Sequence, residues 1–498
     1  MSTHSTPASP IAKASGIQWP HPKSSDPPDD VLFNTLYGVR TIELNRPGKL
    51  NSLNASMVRK IIPRIREWEN SQLANVIIIS GIGPKAFCAG GDVADLAEQN
   101  KTGPEGVNKS KGYFALEYQL DHLLATSSMP IVAYLDGITM GGGVGLSVHL
   151  PIRIATERTV FAMPETTIGF FPDVGGSFFL PRMDGHVGTY LALTSERLHG
   201  VQAYYAGIAT HYIPSSTLSL LSRRLAELTF PDHLPLEARL SLINSTILEF
   251  SSGVPQDAPP LLAGPLRIAI DAVFSQPTIP AMLSTLSTLS EDPTLSSKLP
   301  IPPTHQQEIS SWATKTRTTL LQRSPTSLAI TLKQLRFGAN WSISETFQRE
   351  YELASKFMTS HDFNEGVTAR LLEKRAPTWS PPSIDDIPPN SIIEYFKIPE
   401  GKPKLPLLRP DALRSQKINY MNYPHTWLGL PRERLVEDVV RKGGLTQEDV
   451  VRTVAGRWTA GDRGGFGGLK PVVEQKVLDV VARKCVDREG TGRLSWVN

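Results

Sequence analysis

The sequence predicts an α/β fold with a helical C-terminal region, followed by a basic, mainly helical extension. Three observations lead there. Over the first two hundred residues, short β-branched apolar runs alternate with segments of helical spacing, the pattern of βαβ-type units. Residues 180–230 and 235–375 then keep a helical character, broken by Pro/Ser/Leu-rich connections. Finally, residues 401–498 hold 18 Lys/Arg against 11 Asp/Glu, whereas the first 400 residues hold 33 against 37. A neutral-to-acidic body with a basic tail points to an appended interaction segment or a solvated basic face.

Taken in order, residues 1–30 read as a disordered or targeting segment: Ser-, Thr- and Pro-rich, with no acid before Asp26. The α/β core is assigned to 31–230. Within it, "GVRTIELNRP" (38–47) alternates as a half-buried strand does, and "NASMVRKIIPRIREWEN" (54–70) has helical spacing with Asn54 as N-cap and Pro63 as an internal flaw. "NVIIISGIG" (75–83) is the β-branched run of a strand buried on both faces. Residues 111–128 read as an amphipathic helix, and 129–165 as strand, glycine turn, helix, strand, strand. A helical region, 231–390, completes the domain, with 252–265 as a loop. Proline becomes dense at "RAPTWSPPSIDDIPP" (375–389), which marks the boundary to the extension, 391–498. Two helices are expected there, 431–444 and 470–485, separated by the glycine-rich stretch 460–468.

With 40% hydrophobic and 20% charged residues, the 498-residue chain has the composition of a soluble globular protein. No apolar run is long enough to cross a bilayer. Cys88 and Cys485, nearly 400 positions apart, form neither a disulfide framework nor a zinc pattern. Cys88, in "KAFCAGGD", reads as a small buried apolar residue rather than a nucleophile.

Chemistry concentrates in three segments. "MGGGVGLS" (140–147) follows an apolar strand and opens a helix, so outward backbone N–H groups favour negative charge. Its spacing does not fit a dinucleotide fingerprint; a tight turn packing on a neighbour is the alternative. "KAFCAGGDV" (85–93) presents a second glycine-flanked N–H, and two such donors aimed at one oxygen make an oxyanion hole. "PETTIGFFPDVGG" (164–176) carries Glu165 and Asp173 among apolar residues. Desolvation there raises a carboxyl pKa toward the range of a general base. The alternative is capping: Glu165 of the next turn, Asp173 of a helix starting near Val174.

These motifs, with "NRPGKLNSLN", "IATHYIP", "SPTSLAITLKQL" and "HDFNEGVTARLLEK", resemble the enoyl-CoA hydratase/isomerase (crotonase) superfamily and, within it, the 3-hydroxyisobutyryl-CoA hydrolase branch. The resemblance covers about residues 32–385 and implies a crotonase-type spiral of ββα units. It implies an oxyanion hole from the N–H groups of Gly91 and Gly142, catalytic Glu165 and Asp173, and substrate contacts from Glu117, Gly142, Glu165, Asp173 and Lys49. On residue type alone Glu117 and Lys49 could equally be solvated. Hydratases carry a second glutamate where this chain has Gly145, so the resemblance implies thioester hydrolysis, with no cofactor beyond the CoA of the substrate. A departure is Asp136, which stands where the branch often has histidine. The resemblance further implies a mitochondrial location. Because fungal relatives of the branch are small-subunit components of the mitochondrial ribosome, it implies a second candidate partner, reached through the basic extension, whose "RSQKINYMNYPHTW" interleaves basic and aromatic residues. Docking of that extension on the body is the alternative. Self-association is also open, and no membrane partner is expected.

Overall fold

The structure, a computed structural model, describes residues 19–497 apart from 232, 252, 256, 292–298, 389, 410–417, 460–469 and 488–489. The targeting reading of residues 1–18 and the glycine-rich separator at 460–468 lie outside the described residues.

Among the described residues ten strands build two sheets, and a two-stranded ladder, Cys485–Val486 with Ser495–Trp496, lies in the extension. β1 (Val31–Leu36), β2 (Val39–Leu44), β3 (Val76–Gly81), β5 (Ile131–Leu135), β7 (Ile152–Ala155) and β10 (His211–Tyr212) form one, in that spatial order. β4 (Ala86–Cys88), β6 (Ile138–Met140), β8 (Val160–Ala162) and β9 (Leu198–His199) form the other. β1 and β2 make an antiparallel hairpin; β2, β3, β5, β7 and β10 run parallel, as do β4, β6 and β8. Each of the successive pairs β3–β4, β5–β6 and β7–β8 thus sends one strand to each sheet. The chain winds as a spiral of ββα turns, and β4, β6 and β8, being parallel, all end on the same side of the four-stranded sheet.

The sequence reading runs β5 straight into the glycine turn and leaves β4 and β6 out. Both are three residues long, too short for a periodicity to register. Gly137, at φ +112°, turns the chain between β5 and β6, and a Cβ there would meet the Lys85 carbonyl. Other elements stand where the pattern puts them. Val76, Ile77, Ile78 and Ile79 are all buried, as expected of a strand covered on both faces. Asn54 caps the helix Ala55–Glu69 by accepting from the Met57 N–H at 2.8 Å, and that helix continues through Pro63. The amphipathic helix begins seven residues earlier than its pattern suggests, at Pro104, and ends at Ala125.

Residues 19–30, grouped above with a disordered start, are held to the body. Arg59 grips the Asp26 carboxylate, Lys60 pairs with Asp30 at 2.5 Å, and the Arg66 guanidinium lies 4.0 Å over the Trp19 ring. Besides the short helix Ser391–Phe396, which makes two more than expected among the described residues, the extension holds three helices, Glu433–Val440, Gln447–Thr459 and Lys470–Lys484. They share an apolar core through Val436, Val440, Val450, Val454, Val473 and Val477, continuous with that of the α/β region. Buried ion pairs fasten them: Glu433 with Arg267 (3.0 Å) and Arg483 (3.4 Å), and Lys476 with Asp184 (3.1 Å). Two tyrosines of the stretch that interleaves basic and aromatic residues face inward. Tyr420 is buried, and Tyr423 is half-buried with its hydroxyl bonded to Leu150 O. No helix among the described residues is long and apolar enough to cross a membrane.

Candidate active site

The two glycine turns meet. Gly91 follows β4 and Gly142 follows β6, adjacent parallel strands of the four-stranded sheet. A Cβ built on Gly142 would stand 3.2 Å from the Gly91 nitrogen and collide with Glu117 Oε1. One built on Gly91 would stand 2.7 Å from the Tyr113 hydroxyl. Both positions therefore require glycine for close approach rather than for a positive φ. Neither N–H donates to an acceptor among the described residues, so two amide donors are left free within a few ångströms of one another.

Carboxyls gather around these turns. The helix Pro104–Ala125 contributes Glu117, 2% exposed, whose Oε1 lies 3.1 Å from the Tyr113 hydroxyl. Burial, and then the Asp173 charge, hold its pKa well above the ordinary carboxyl value. Glu165 opens a short 3-10 turn directly after β8. Its Oε1 is 3.2 Å from the place a Cβ on Gly141 would take, beside the Gly142 turn. The other oxygen, Oε2, is buried and has no partner. Burial and the Asp173 charge raise the Glu165 pKa too. Neither capping alternative describes these acids: the helix Gly176–Phe179 has no side-chain cap, and Asp173 Oδ2 instead accepts from the Tyr118 hydroxyl at 2.6 Å. Burial pushes Asp173 up to about 7, the Tyr118 hydrogen bond working against it.

The loop that carries Asp173 is clamped from a distance. Val174 adopts φ +51°, a strained conformation for a β-branched residue. Glu350, on the helix Ile343–Phe357, accepts from the N–H groups of Gly175 (2.7 Å) and Ser177 (2.9 Å) and from the Ser177 hydroxyl. Gln334 donates to Pro172 O (2.9 Å), and His149 Nε2 lies 3.1 Å from Val174 O. The helical region thus fixes the geometry of an acid that belongs to the α/β core.

At Gly145, a Cβ would stand 2.7 Å from both Asp121 Oδ2 and Val174 Cβ. Packed this way, the site has no room for a glutamate there; the Asp121 carboxyl fills the space, fully buried and with neither oxygen hydrogen-bonded. Lys49 lies at the outer edge, its side chain 62% exposed and 3.6 Å from Asp92. Beside it a cleft of about 410 Å³, lined by Lys23, Arg59, Asp92, Lys109 and Tyr113, opens outside the Gly91 turn. Asp136 is tied to Arg158 and to Thr156 (2.8 Å), on the far side of β6 from the glycine run. Cys88 is fully buried, its thiol pushed up to about 12 by desolvation; it packs and does not attack.

Sequence reasoning missed Tyr113, Tyr118, Asp121 and Glu350. Tyr113 and Asp121 had a signal: with Glu117 they recur every four residues along one helix, one polar stripe on one face. Glu350 had none, since its partners lie more than 170 residues away.

The model of a family described as enoyl-CoA hydratase/isomerase matches residues 39–396. A small ribosomal subunit protein mS47 of Neurospora crassa is 51% identical over 98% of this chain and 92% of its own length. A mitochondrial 3-hydroxyisobutyryl-CoA hydrolase of Gallus gallus is 41% identical over 75% of this chain and 90% of its own. Among solved structures, a carnitinyl-CoA dehydratase from Mycobacterium thermoresistibile superposes with a TM-score of 0.65 at 29% identity, covering 76% of this chain and 99% of that one.

Proposed function

Since the chain belongs to the enoyl-CoA hydratase/isomerase family, we propose that it hydrolyses the thioester of a short 3-hydroxyacyl-CoA, 3-hydroxyisobutyryl-CoA in particular, in the mitochondrion. The observation that carries the reading is Glu165: a buried carboxyl with one unpartnered oxygen, beside a pair of free glycine N–H donors. The substrate carbonyl oxygen accepts from Gly91 and Gly142, which stabilise the negative charge as the carbon becomes tetrahedral. Glu165 either takes a proton from the attacking water, or attacks the carbonyl itself, breaking the C–S bond to expel the CoA thiolate and giving an anhydride that water then opens to the free acid and the restored carboxylate. In the first course, the C–S bond breaks as the oxyanion collapses, and the CoA thiolate leaves with the proton that Glu165 had accepted. Asp173, held by Tyr118, bonds the substrate hydroxyl. An acyl group without that hydroxyl leaves a buried polar group unpaired and is rejected. Hydration across a double bond is disfavoured by Gly145, because Asp121 and Val174 occupy the space a second glutamate would need. Thiol release from 3-hydroxyisobutyryl-CoA, with isobutyryl-CoA and crotonyl-CoA in parallel, tests this. Turnover of the first and not the others is expected, and preferred hydration of crotonyl-CoA would refute it.

A second role, as a component of the mitochondrial small ribosomal subunit, is favoured by one observation. The match to the mS47 protein runs over 98% of the chain, extension included, while the match to the hydrolase spans 75%. The inward-facing Tyr420 and Tyr423 leave exposed basic side chains, among them Arg434, Lys442 and Arg457, as the contact surface. Co-sedimentation with mitochondrial small subunits, lost when these three are changed to Glu, is the expected result. Because the extension shares the core, charge reversal is a cleaner probe than truncation.

A further inference from the structure

Where the extension meets the body, a small cavity is walled by three guanidiniums and no carboxylate. Arg153 comes from β7 and Arg182 from just after the helix Gly176–Phe179, while Arg432 and Tyr423 come from the extension; His149 and Phe178 complete the wall. It offers about 40 Å³ for the centres of water-sized groups. At roughly 10–15 Å³ per water, that is room for about three waters or one tetrahedral oxyanion.

Buried charges are ordinarily paired with opposite charges. Next door, the pairing is complete: Arg267 and Arg483 share Glu433, and Lys476 holds Asp184. The cavity arginines differ. Arg153, 4% exposed, donates to Ile208 O (2.6 Å), Leu150 O (2.5 Å) and the Tyr423 hydroxyl (2.8 Å). Arg182 donates to main-chain oxygens of Phe178, Gly338, Trp341 and Met421. Neither makes an ion pair among the described residues, and burial lowers the pKa of both. The Arg432 guanidinium makes no hydrogen bond among the described residues and no ion pair there, and its Nη1 is buried without a partner. It feels Asp184 only at a distance, and that carboxylate is already engaged by Lys476 and by the Glu433 N–H. His149 is kept neutral by burial, at about 4, and supplies no counter-charge.

We propose that this cavity binds a free tetrahedral oxyanion of the inorganic phosphate class, held by Arg432 with Arg153 and Arg182, and that the anion fastens the extension to the body. Arg432 supplies the donors left over, and the other two supply field. Two of the three arginines belong to the body and one to the extension, so the anion bridges the two by charge rather than by apolar contact.

The test uses the full chain and does not depend on catalysis. Sodium phosphate is titrated while the melting temperature is followed, beside sodium chloride at matched ionic strength, and binding is measured directly by calorimetry. A saturable rise is expected with phosphate and not with chloride. General salting-out by phosphate gives an unsaturated, linear rise and is common to all variants. Arg432→Gln, which loses no hydrogen bond of its own, should fold normally and bind phosphate roughly tenfold or more weakly, the loss of a charge-assisted hydrogen bond. Arg224→Gln, at an exposed ion pair that takes no part in the cavity wall, should bind as the unaltered chain does. A linear response only, or equal affinity in Arg432→Gln, would overturn the proposal.

Discussion

Two regions of this molecule bury charge, and they do so in opposite ways. Around the glycine turns, Glu117, Asp121, Glu165 and Asp173 lie in the interior with no basic partner among the described residues; tyrosine hydroxyls meet Glu117 and Asp173, and neither Asp121 oxygen is hydrogen-bonded. Under the extension, Glu433 and Arg267 are buried and Asp184, Arg483 and Lys476 half-buried, but all five are cross-linked into ion pairs. Both arrangements pay a desolvation penalty. In the second it is offset on the spot, so the residues hold the fold. In the first it is not, which is the condition under which buried acids keep raised pKa values and are available for proton transfer.

The sharpest way to break the comparison is at Glu165. Glu165→Gln keeps the shape and removes the proton acceptor; thiol release should fall about 10²–10⁴-fold, while the melting temperature holds or rises. Retained turnover would put the base elsewhere. Gly142→Ala drives a methyl into Glu117 and displaces an amide donor. A loss of about 10²–10³ in kcat is expected, with little change in KM.

In the extension the signs reverse. Glu433→Ala leaves Arg267 and Arg483 with only Asp271 and Asp479 as partners and should cost about 1.5–3 kcal/mol of stability in urea unfolding, with turnover per folded molecule unchanged. Parallel loss of activity before unfolding would show that the two regions are not separable.

A pH series sharpens the contrast. Asp173 is raised in the folded protein to about 7, from 3.8. Between those values the folded chain binds a proton that the unfolded chain has released, so this group's stabilisation is complete below about pH 4 and is lost as pH rises to about 7. The slope is at most about 1.4 kcal/mol per pH unit. Asp173→Asn should flatten the urea midpoint over that window and relax the preference for hydroxylated acyl groups. The smallest effect belongs to Asp136→Asn: its ion pair with Arg158 is partly solvated, and a change within about 1 kcal/mol, with activity intact, is expected.

How much of this was readable beforehand follows from range. β3 announced itself because four β-branched residues in a row are buried on both faces, and Asn54 because capping is decided within three residues. Glu165 and Asp173 stood out as acids in apolar company. β4 and β6 were invisible, since three residues set no period and their strand character comes from pairing with each other and with β8. Glu350 was invisible for a similar reason: its role is created by a fold that brings residue 350 to residues 175 and 177. The inward turn of Tyr420 and Tyr423 fits the docking alternative for that stretch, because interleaved basic and aromatic residues also suit a segment that packs its rings and exposes its charges.

The central claim is that uncompensated acids facing free glycine amides make a thioester hydrolase. The most direct measurement is steady-state thiol release from 3-hydroxyisobutyryl-CoA by the full chain, with Glu165→Gln prepared alongside. Turnover by the unaltered chain and its collapse in a variant that melts no lower is the predicted result. A folded chain with no turnover, or a variant that matches it, would contradict the account.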